Sequence, residues 1–296
     1  MLTPLFLLVL MSGAVQPAQE VPLQADQQGE IERIVAYDDL QRDLIQWDLQ
    51  LALKYKGRGE DDLAQEKALS AGNRREDILD RYVAFLKEHP ENAVAHNYYG
   101  EALADLKNAP MDAAEQWRKA IELDPQLADA HNNLGIHFGH YGQPGKALDE
   151  FRKAVELDPN VADFHFNLGL ALHNFRYVAM SKYNLSLPEV FEQALKESKK
   201  ARELKPKDLE IALDHARTFF GAEGFKAAPD WEEALAAWEF CLPLTDDTNA
   251  RFGILLNLGR VALRMDRKGQ ARRYFREALT IRPDSPVVKK LLETAQ

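Results

Sequence analysis

Cysteine is almost absent from the 296 residues. Cys241 stands alone, which excludes an internal disulfide framework and any cysteine-rich metal site. Long hydrophobic runs are scarce as well: the run at the amino terminus, Leu5 to Met11, spans seven residues, far short of the ~20 that a membrane span requires. No other stretch is long and apolar enough to be a transmembrane helix. Basic charge is in deficit, with 37 Lys and Arg against 47 Asp and Glu and a formal net charge of −10. A surface of that sign repels a phosphate backbone, so general nucleic-acid binding is not expected. Also missing are His-Glu-x-x-His, Gly-x-x-x-x-Gly-Lys-Ser/Thr, Gly-x-Gly-x-x-Gly and Gly-x-Ser-x-Gly. An enzyme, or a resident cofactor, has no motif to rest on. What is present, 46% hydrophobic and 28% charged residues, is the balance of a soluble globular chain and excludes disorder, collagen and a multi-span membrane protein.

Residues 1–18 read as an export signal. The apolar run is followed by Ser12-Gly13-Ala14, small residues suited to cleavage after Ala14 or Ala18, although no Lys or Arg precedes Arg33. Val15 stands where a lipid-carrying cysteine would follow the small residues. The expected location is outside the cytoplasm, in a periplasm or equivalent. The alternative is an unstructured or docked tail on a cytoplasmic protein. Residues 19–29 are rich in Gln, Pro and Ala without periodicity and read as a linker, with folding expected from Ile31.

The body of the chain repeats. Glu122-Leu-Asp-Pro125 recurs 34 residues later as Glu156-Leu-Asp-Pro159, and between them lie Leu134-Gly135, Phe138, Ala147, Phe151 and Ala154. Small, aromatic and proline residues at these offsets resemble the tetratricopeptide repeat family, a helix-turn-helix unit of 34 residues. Gly135 and Ala147 are small where the two helices of a repeat cross, Phe138 and Phe151 fill space between repeats, and Pro159 ends the second helix. The same register gives Gly100, Ala113, Trp117, Ala120 and Pro125 before it. After it come Leu168-Gly169, Ala194, Ala201 and Pro206, then Ala216, Phe219, Ala234 and Trp238, then Leu258-Gly259, Ala271, Phe275, Ala278 and Pro283.

The resemblance implies an all-α, right-handed superhelical solenoid. Its five repeats fall at about 93–126, 128–161, 162–208, 209–248 and 252–284, with insertions near 174–188 and 221–230. Residues 30–90 form an atypical helical cap, in which Ile78 to Leu86 resembles a degenerate second helix. Residues 285–296 form a closing helix with Val287, Val288, Leu291 and Leu292 on its apolar side.

The family resemblance also implies a concave groove lined by the second, fifth, ninth and twelfth positions of each first helix. These run from polar and acidic (Asn97, Glu101, Asp129, Asn132) through apolar (Phe166, Leu170, Leu213, Phe220) to basic (Arg217, Arg260). Asn133, Asn167 and Asn257 share the sixth position, where such proteins hold a ligand's main chain, although Asn there is also common for structural reasons. The chain lacks the Lys-then-Asn pair of carboxylate-clamp repeats. Asn132, Asn133, Phe166, Asn167, Leu170, Arg217, Arg260 and Arg264 are the candidate partner-binding residues.

His96, His131 and His165 share the fourth position. Packed helices stand roughly 10 Å apart, too far for stacked imidazoles to share an ion at ~2 Å, so packing rather than metal binding is expected. The insertions should lie side by side on one edge. Phe175, Tyr177, Met180 and Tyr183 suit a partner contact or a lid in the first insertion, or else pack on the second. Charge is uneven: Arg260 to Gln296 carries net +6, with seven Lys and Arg between 260 and 276, and the preceding 259 residues carry −16. Cys241 reads as a core thiol.

Together these features predict a non-catalytic scaffold that binds a peptide or partner protein in its groove. The alternative is an assembly or regulatory subunit of an envelope enzyme or secretion complex, docking through the insertion edge and the basic last repeat.

Overall fold

The computed structural model describes residues 25–296, fourteen α-helices and no strand among them. The apolar run Leu5 to Met11, its cleavage sites and most of the 19–29 linker lie outside the described residues. The chain divides into two compact units, one ending at His89 and one from Pro90 to Gln296.

The first unit is a hairpin of two long helices, α1 (Ala25–Lys56) and α2 (Asp61–Glu88). Helix therefore starts five residues inside the stretch read as a linker. Its first turns are held by Gln28 donating to Glu32 and by Gln27 bonding His89 Nδ1 at 3.0 Å. The contacts of α1 with α2 run in opposite directions along the chain: Asp48 meets Ser70, Gln41 meets Arg74, and Asp38 meets Tyr82, so the helices are antiparallel. Buried residues recur every seven positions, Ile31, Asp38 and Ile45 on α1 and Ala64, Ala71, Ile78 and Phe85 on α2, the spacing of a coiled-coil seam. Part of the seam is polar. Asp38 accepts from Tyr82 Oη (3.0 Å) and Arg42 Nε (2.7 Å), and Asp48 accepts from Ser70 Oγ (2.8 Å) and Arg74 Nε (3.2 Å). These bonds satisfy buried carboxylates that would otherwise be costly.

The second unit is a solenoid of helix pairs, each helix packing on its neighbours in chain order. The pairs are α3 (Ala93–Leu106) with α4 (Pro110–Leu123), α5 (Ala128–His140) with α6 (Pro144–Leu157), and α7 (Ala162–Asn174) with α9 (Leu187–Leu204). They continue with α10 (Leu209–Thr218) and α11 (Trp231–Cys241), then α12 (Thr248–Arg264) and α13 (Lys268–Ile281). The closing helix is α14 (Pro286–Thr294). The first insertion forms helix α8 (Arg176–Tyr183), and the second forms a 3-10 segment, Phe219–Phe225. Helix starts carry side-chain caps: Asn92, Asp208, Asp230, Asp247 and Ser285 each accept a backbone N–H, and Ser186 with Glu189 makes a reciprocal capping box.

Four of the five pairs are drawn together at a residue without a side chain, and α10 has Ala216 at that position. A Cβ on Gly135 would stand 2.8 Å from the Phe151 ring, one on Gly100 would stand 2.6 Å from Trp117, and one on Gly259 would overlap Phe275. Phe151 thus fills space within its own repeat rather than only between repeats. The third repeat solves the crossing differently. Ser198 occupies the aromatic slot, and Gly169 approaches the backbone of α9 so closely that a Cβ on it would stand 3.2 Å from Ser198 N. The volume that the missing ring leaves lets His215 of the next repeat reach in, its Nδ1 2.9 Å from Ser198 Oγ. Ser198 Oγ donates to the Leu195 carbonyl at 3.1 Å, so Nδ1–H donates to Ser198. Burial pushes the His215 imidazole down to about 3, with Arg202 and Lys199 adding to the effect.

Two predictions follow from this packing. Gly253 and Gly259 lie on the same helix, but a Cβ at Gly253 meets nothing within 4 Å. Gly253→Ala is expected to raise stability by about 0.5–1 kcal/mol through helix propensity. Gly259→Ala is expected to lower it by about 1–3 kcal/mol by overpacking against the fully buried Phe275; urea unfolding of the two variants would return the same sign if the contact were unimportant. The second concerns pH. The unfolded chain protonates His215 near its ordinary value of ~6.5, whereas the folded chain resists until about 3. The stability tied to the neutral ring is complete above pH ~6.5 and is lost as pH falls through that window, by up to ~1.4 kcal/mol per unit. Unfolding midpoints measured from pH 7 to 4 should fall less steeply for His215→Gln than for the wild type, and parallel curves would refute the assignment.

Candidate binding groove

The candidate residues lie on the first helices α5, α7, α10 and α12. At the amino-terminal end the amides are already engaged. Asn133 Nδ2 donates to Glu101 Oε1 (2.7 Å) and Asn97 Oδ1 (3.1 Å), Asn97 Nδ2 donates to Glu101 Oε1 (2.9 Å), and Asn167 Nδ2 donates to Asn132 Oδ1 (2.9 Å). Asn97 and Asn132 are buried. The sixth-position amides of the second and third repeats therefore join each repeat to the one before it. In the last repeat Asn257 is an acceptor, taking a hydrogen bond from Arg260 Nη1 at 3.2 Å.

Past this polar ladder the face turns apolar. Phe166 is half-buried against Ala162, Ala201 and Ile211, while Leu170 is 38% exposed and Ile136 of the previous repeat is also exposed. Leu213 and Phe220 pack on the core of the fourth and fifth repeats. Asp214 takes the sixth position there; burial raises its carboxyl to about 6 even though Arg217 pulls the other way. Arg217 and Arg260 are exposed at the ninth positions. Arg264 lies 4.7 Å over Trp231 and 5.8 Å over Phe220. With Phe219, Ala222 and Lys226 these residues line a cavity of about 380 Å³ beneath the second insertion.

The fourth-position histidines are structural clamps. His131 Nδ1 meets Glu150 Oε2 at 2.6 Å, and its Nε2 donates to the Pro125 carbonyl at 3.3 Å. His165 does the same with Glu197 (2.5 Å) and Pro159 (3.0 Å), and His96 with Gln116 (2.7 Å) and Pro90 (3.0 Å). Each ring ties its helix to the second helix of its repeat and to the turn before it. Among the described residues no three His, Cys, Asp or Glu side chains are placed to hold a metal ion. The partner of each histidine went unread in the sequence. Its signal is the Gln or Glu standing directly before Trp117, Phe151 and Ser198.

The insertions meet: Arg176 of α8 lies 5.4 Å over Phe225, whose ring also contacts His173 (5.2 Å) and Phe191 (5.4 Å). Tyr183 sits under Arg152 at 3.9 Å, its hydroxyl pushed up to about 12 by burial, and Lys182 pairs with Asp149 at 2.8 Å. The first insertion is thereby pinned to α6, and of its four large apolar residues Tyr177 alone is mostly exposed, at 59%. The basic run is partly spent as well. Arg267 pairs with Glu232, and Arg272 Nη1 donates to the Ala295 carbonyl at 2.7 Å. Cys241 is buried, donates to the Ala237 carbonyl and is pushed up to about 11 by burial, so its sulfur stays a thiol at neutral pH.

Tetratricopeptide-repeat family models match residues 112–139 and 142–174, described as TPR repeat, and 252–285, described as tetratricopeptide repeat. No curated protein matches the chain. Among solved structures, YrrB, described as a TPR protein with an unusual peptide-binding site, superposes with a TM-score of 0.56 at 20% identity, over 71% of this chain and 96% of YrrB. The C-terminal part of a TPR repeat-containing protein from Cytophaga hutchinsonii does so with a TM-score of 0.53 at 17% identity, over 90% of this chain and 96% of that one. The matched segments cover four of the helix pairs in whole or part, with the glycine–aromatic crossings Gly135–Phe151 and Gly259–Phe275 inside them, and over these segments the chain carries tetratricopeptide repeats.

Proposed function

We propose that the chain is a non-catalytic scaffold that holds a peptide, or an extended segment of a partner protein, along the face of α5, α7, α10 and α12. The observation that carries this reading is the contrast between the fifth and sixth positions of the first helices and the ninth. Asn97, Asn132, Asn133 and Asn167 are consumed by the fold, whereas Ile136, Leu170, Arg217 and Arg260 stand exposed on helices whose other faces are locked into the core. Exposed apolar and cationic side chains on a rigid surface supply affinity at little ordering cost. That YrrB is described as having a peptide-binding site agrees with this reading. Docking through the insertion edge and the basic last repeat has less support, because Tyr183, Arg264, Arg267 and Arg272 are engaged within the chain.

Export from the cytoplasm is part of the proposal and rests on Leu5 to Met11 followed by Ser12-Gly13-Ala14. The mature protein should begin at Val15 or Gln19, which amino-terminal sequencing checks; an intact Met1 places it inside the cell. The groove is tested with a photo-crosslinking amino acid placed singly at Leu170, Arg217, Tyr177 and Arg276 in the native host. Adducts are expected from Leu170 and Arg217. Adducts from Tyr177 or Arg276 alone would overturn the groove in favour of the edge.

A further inference from the structure

We propose that the carboxyl-terminal end of the groove is a subsite for an acidic peptide segment bearing a large apolar side chain; this rests on the groove reading above and specifies its ligand. Phe252, Leu256 and Arg260 recur every fourth residue on α12 and form one stripe. Facing them are the turn from Arg282 to Ser285 and Val287 at the start of α14. Between the two walls lies a cavity of about 590 Å³, within the range of pockets that enclose small ligands.

The closing helix leaves this cavity open. Val287 and Val288 were both expected on its buried side, but Val288 is fully buried and Val287 is 50% exposed. The helix packs through Val288, and this turns Val287 towards Phe252 and Leu256, so the cavity has an apolar floor.

The rim is cationic, and among the described residues neither of its arginines pairs with a carboxylate. Arg260 donates to Asn257 Oδ1 at 3.2 Å. Arg282 lies 4.3 Å over the Phe252 ring and donates to Asn249 Oδ1 at 2.5 Å. Both guanidinium groups are oriented by neutral amide oxygens, which fix their direction and leave their charge intact. Nearby Arg267, in contrast, meets the carboxylate of Glu232. The acid of the lining, Asp284, faces Lys289 at 3.8 Å. An Arg pre-oriented in this way keeps several N–H donors for a carboxylate, and charge-assisted bonds of that kind are about twice as strong as neutral ones. The apolar floor suits a Leu, Phe or Trp side chain adjacent to the carboxylate, and it gives a bare phosphate polyanion nothing to cover.

The probe is a phage-displayed library of random dodecapeptides panned against the full chain, with the enriched peptides then measured by fluorescence anisotropy. The result expected is enrichment of sequences with Asp or Glu within two positions of Leu, Phe, Trp or Met. Their Kd should rise at least tenfold for Arg260→Glu, for Arg282→Glu and for Val287→Glu, and stay unchanged for Lys268→Glu. Thermal melts accompany each variant; should Arg282→Glu melt lower, Arg260→Glu decides. Enriched peptides that lose binding with Leu170→Glu but not with the three cavity variants would overturn the subsite and leave the groove standing. A library that yields no binder would overturn both. Sedimentation showing self-association that the enriched peptides reverse would make the occupant a second copy and overturn the peptide assignment.

Discussion

In three of the five repeats a ring lies against a residue that has no side chain where the first helix crosses the second, Gly100 against Trp117, Gly135 against Phe151 and Gly259 against Phe275. That contact sets the distance between the helices, and the other features of the solenoid depend on it. With the crossing fixed, the fourth-position histidine of the first three repeats falls within reach of the residue just before the aromatic, so His131 meets Glu150 and His96 meets Gln116. The third repeat shows what happens when the ring is lost. Gly169 closes on the backbone at Ser198, and the freed volume is taken by His215 of the following repeat. In a packed interior a missing ring must be replaced by something, here an imidazole held neutral by its burial.

The same economy explains why the groove changes character along its length. The amino-terminal repeats have polar side chains on their first helices and use them on one another, through the Asn97–Glu101–Asn133 cluster and the Asn132–Asn167 bond. The fourth repeat is held instead by rings, with Phe220 5.9 Å from Trp238 and 6.1 Å from Trp231, and Arg264 of the fifth repeat stacks over Phe220 and Trp231. That joint draws on Arg264 and on neither of the ninth-position arginines. Arg217 and Arg260, at positions where the earlier repeats have Glu101 and Ile136, are therefore left on the surface.

How much of this was legible in the sequence follows from the kind of signal involved. Gly135, Ala147, Phe151 and Pro159 announce the fold because each meets a local steric demand that recurs every 34 residues. The hairpin was harder to read. Asp61 to Asp77 is polar, and its buried positions are the small Ala64 and Ala71, so only Ile78 to Leu86 looked helical although α2 is continuous. Asp38, Gln41 and Asp48 sit in the seam of α1 and break the apolar period. Candidate site residues were legible as positions but not as states. The row holding Asn133, Asn167 and Asn257 could be written from the register. That the first two donate to neighbouring side chains depends on acceptors 32 to 36 residues away, which no local pattern reports.

Val287 shows the same limit at the end of the array, where a closing helix with two adjacent valines can bury only one of them. Which one is decided by the turn from Arg282 to Ser285, whose cap Ser285 accepts from Val288 N at 3.4 Å and so sets the rotation of α14. In a solenoid a repeat contacts mainly its neighbours, so exposing Val287 and leaving Arg260 and Arg282 without a carboxylate among the described residues costs the distant repeats nothing. An interior repeat has a neighbour on both sides to neutralise such charges or cover such a side chain. The last one has a neighbour on one side only, and its apolar floor and unneutralised guanidinium groups are free to be shaped by a ligand instead of by the fold.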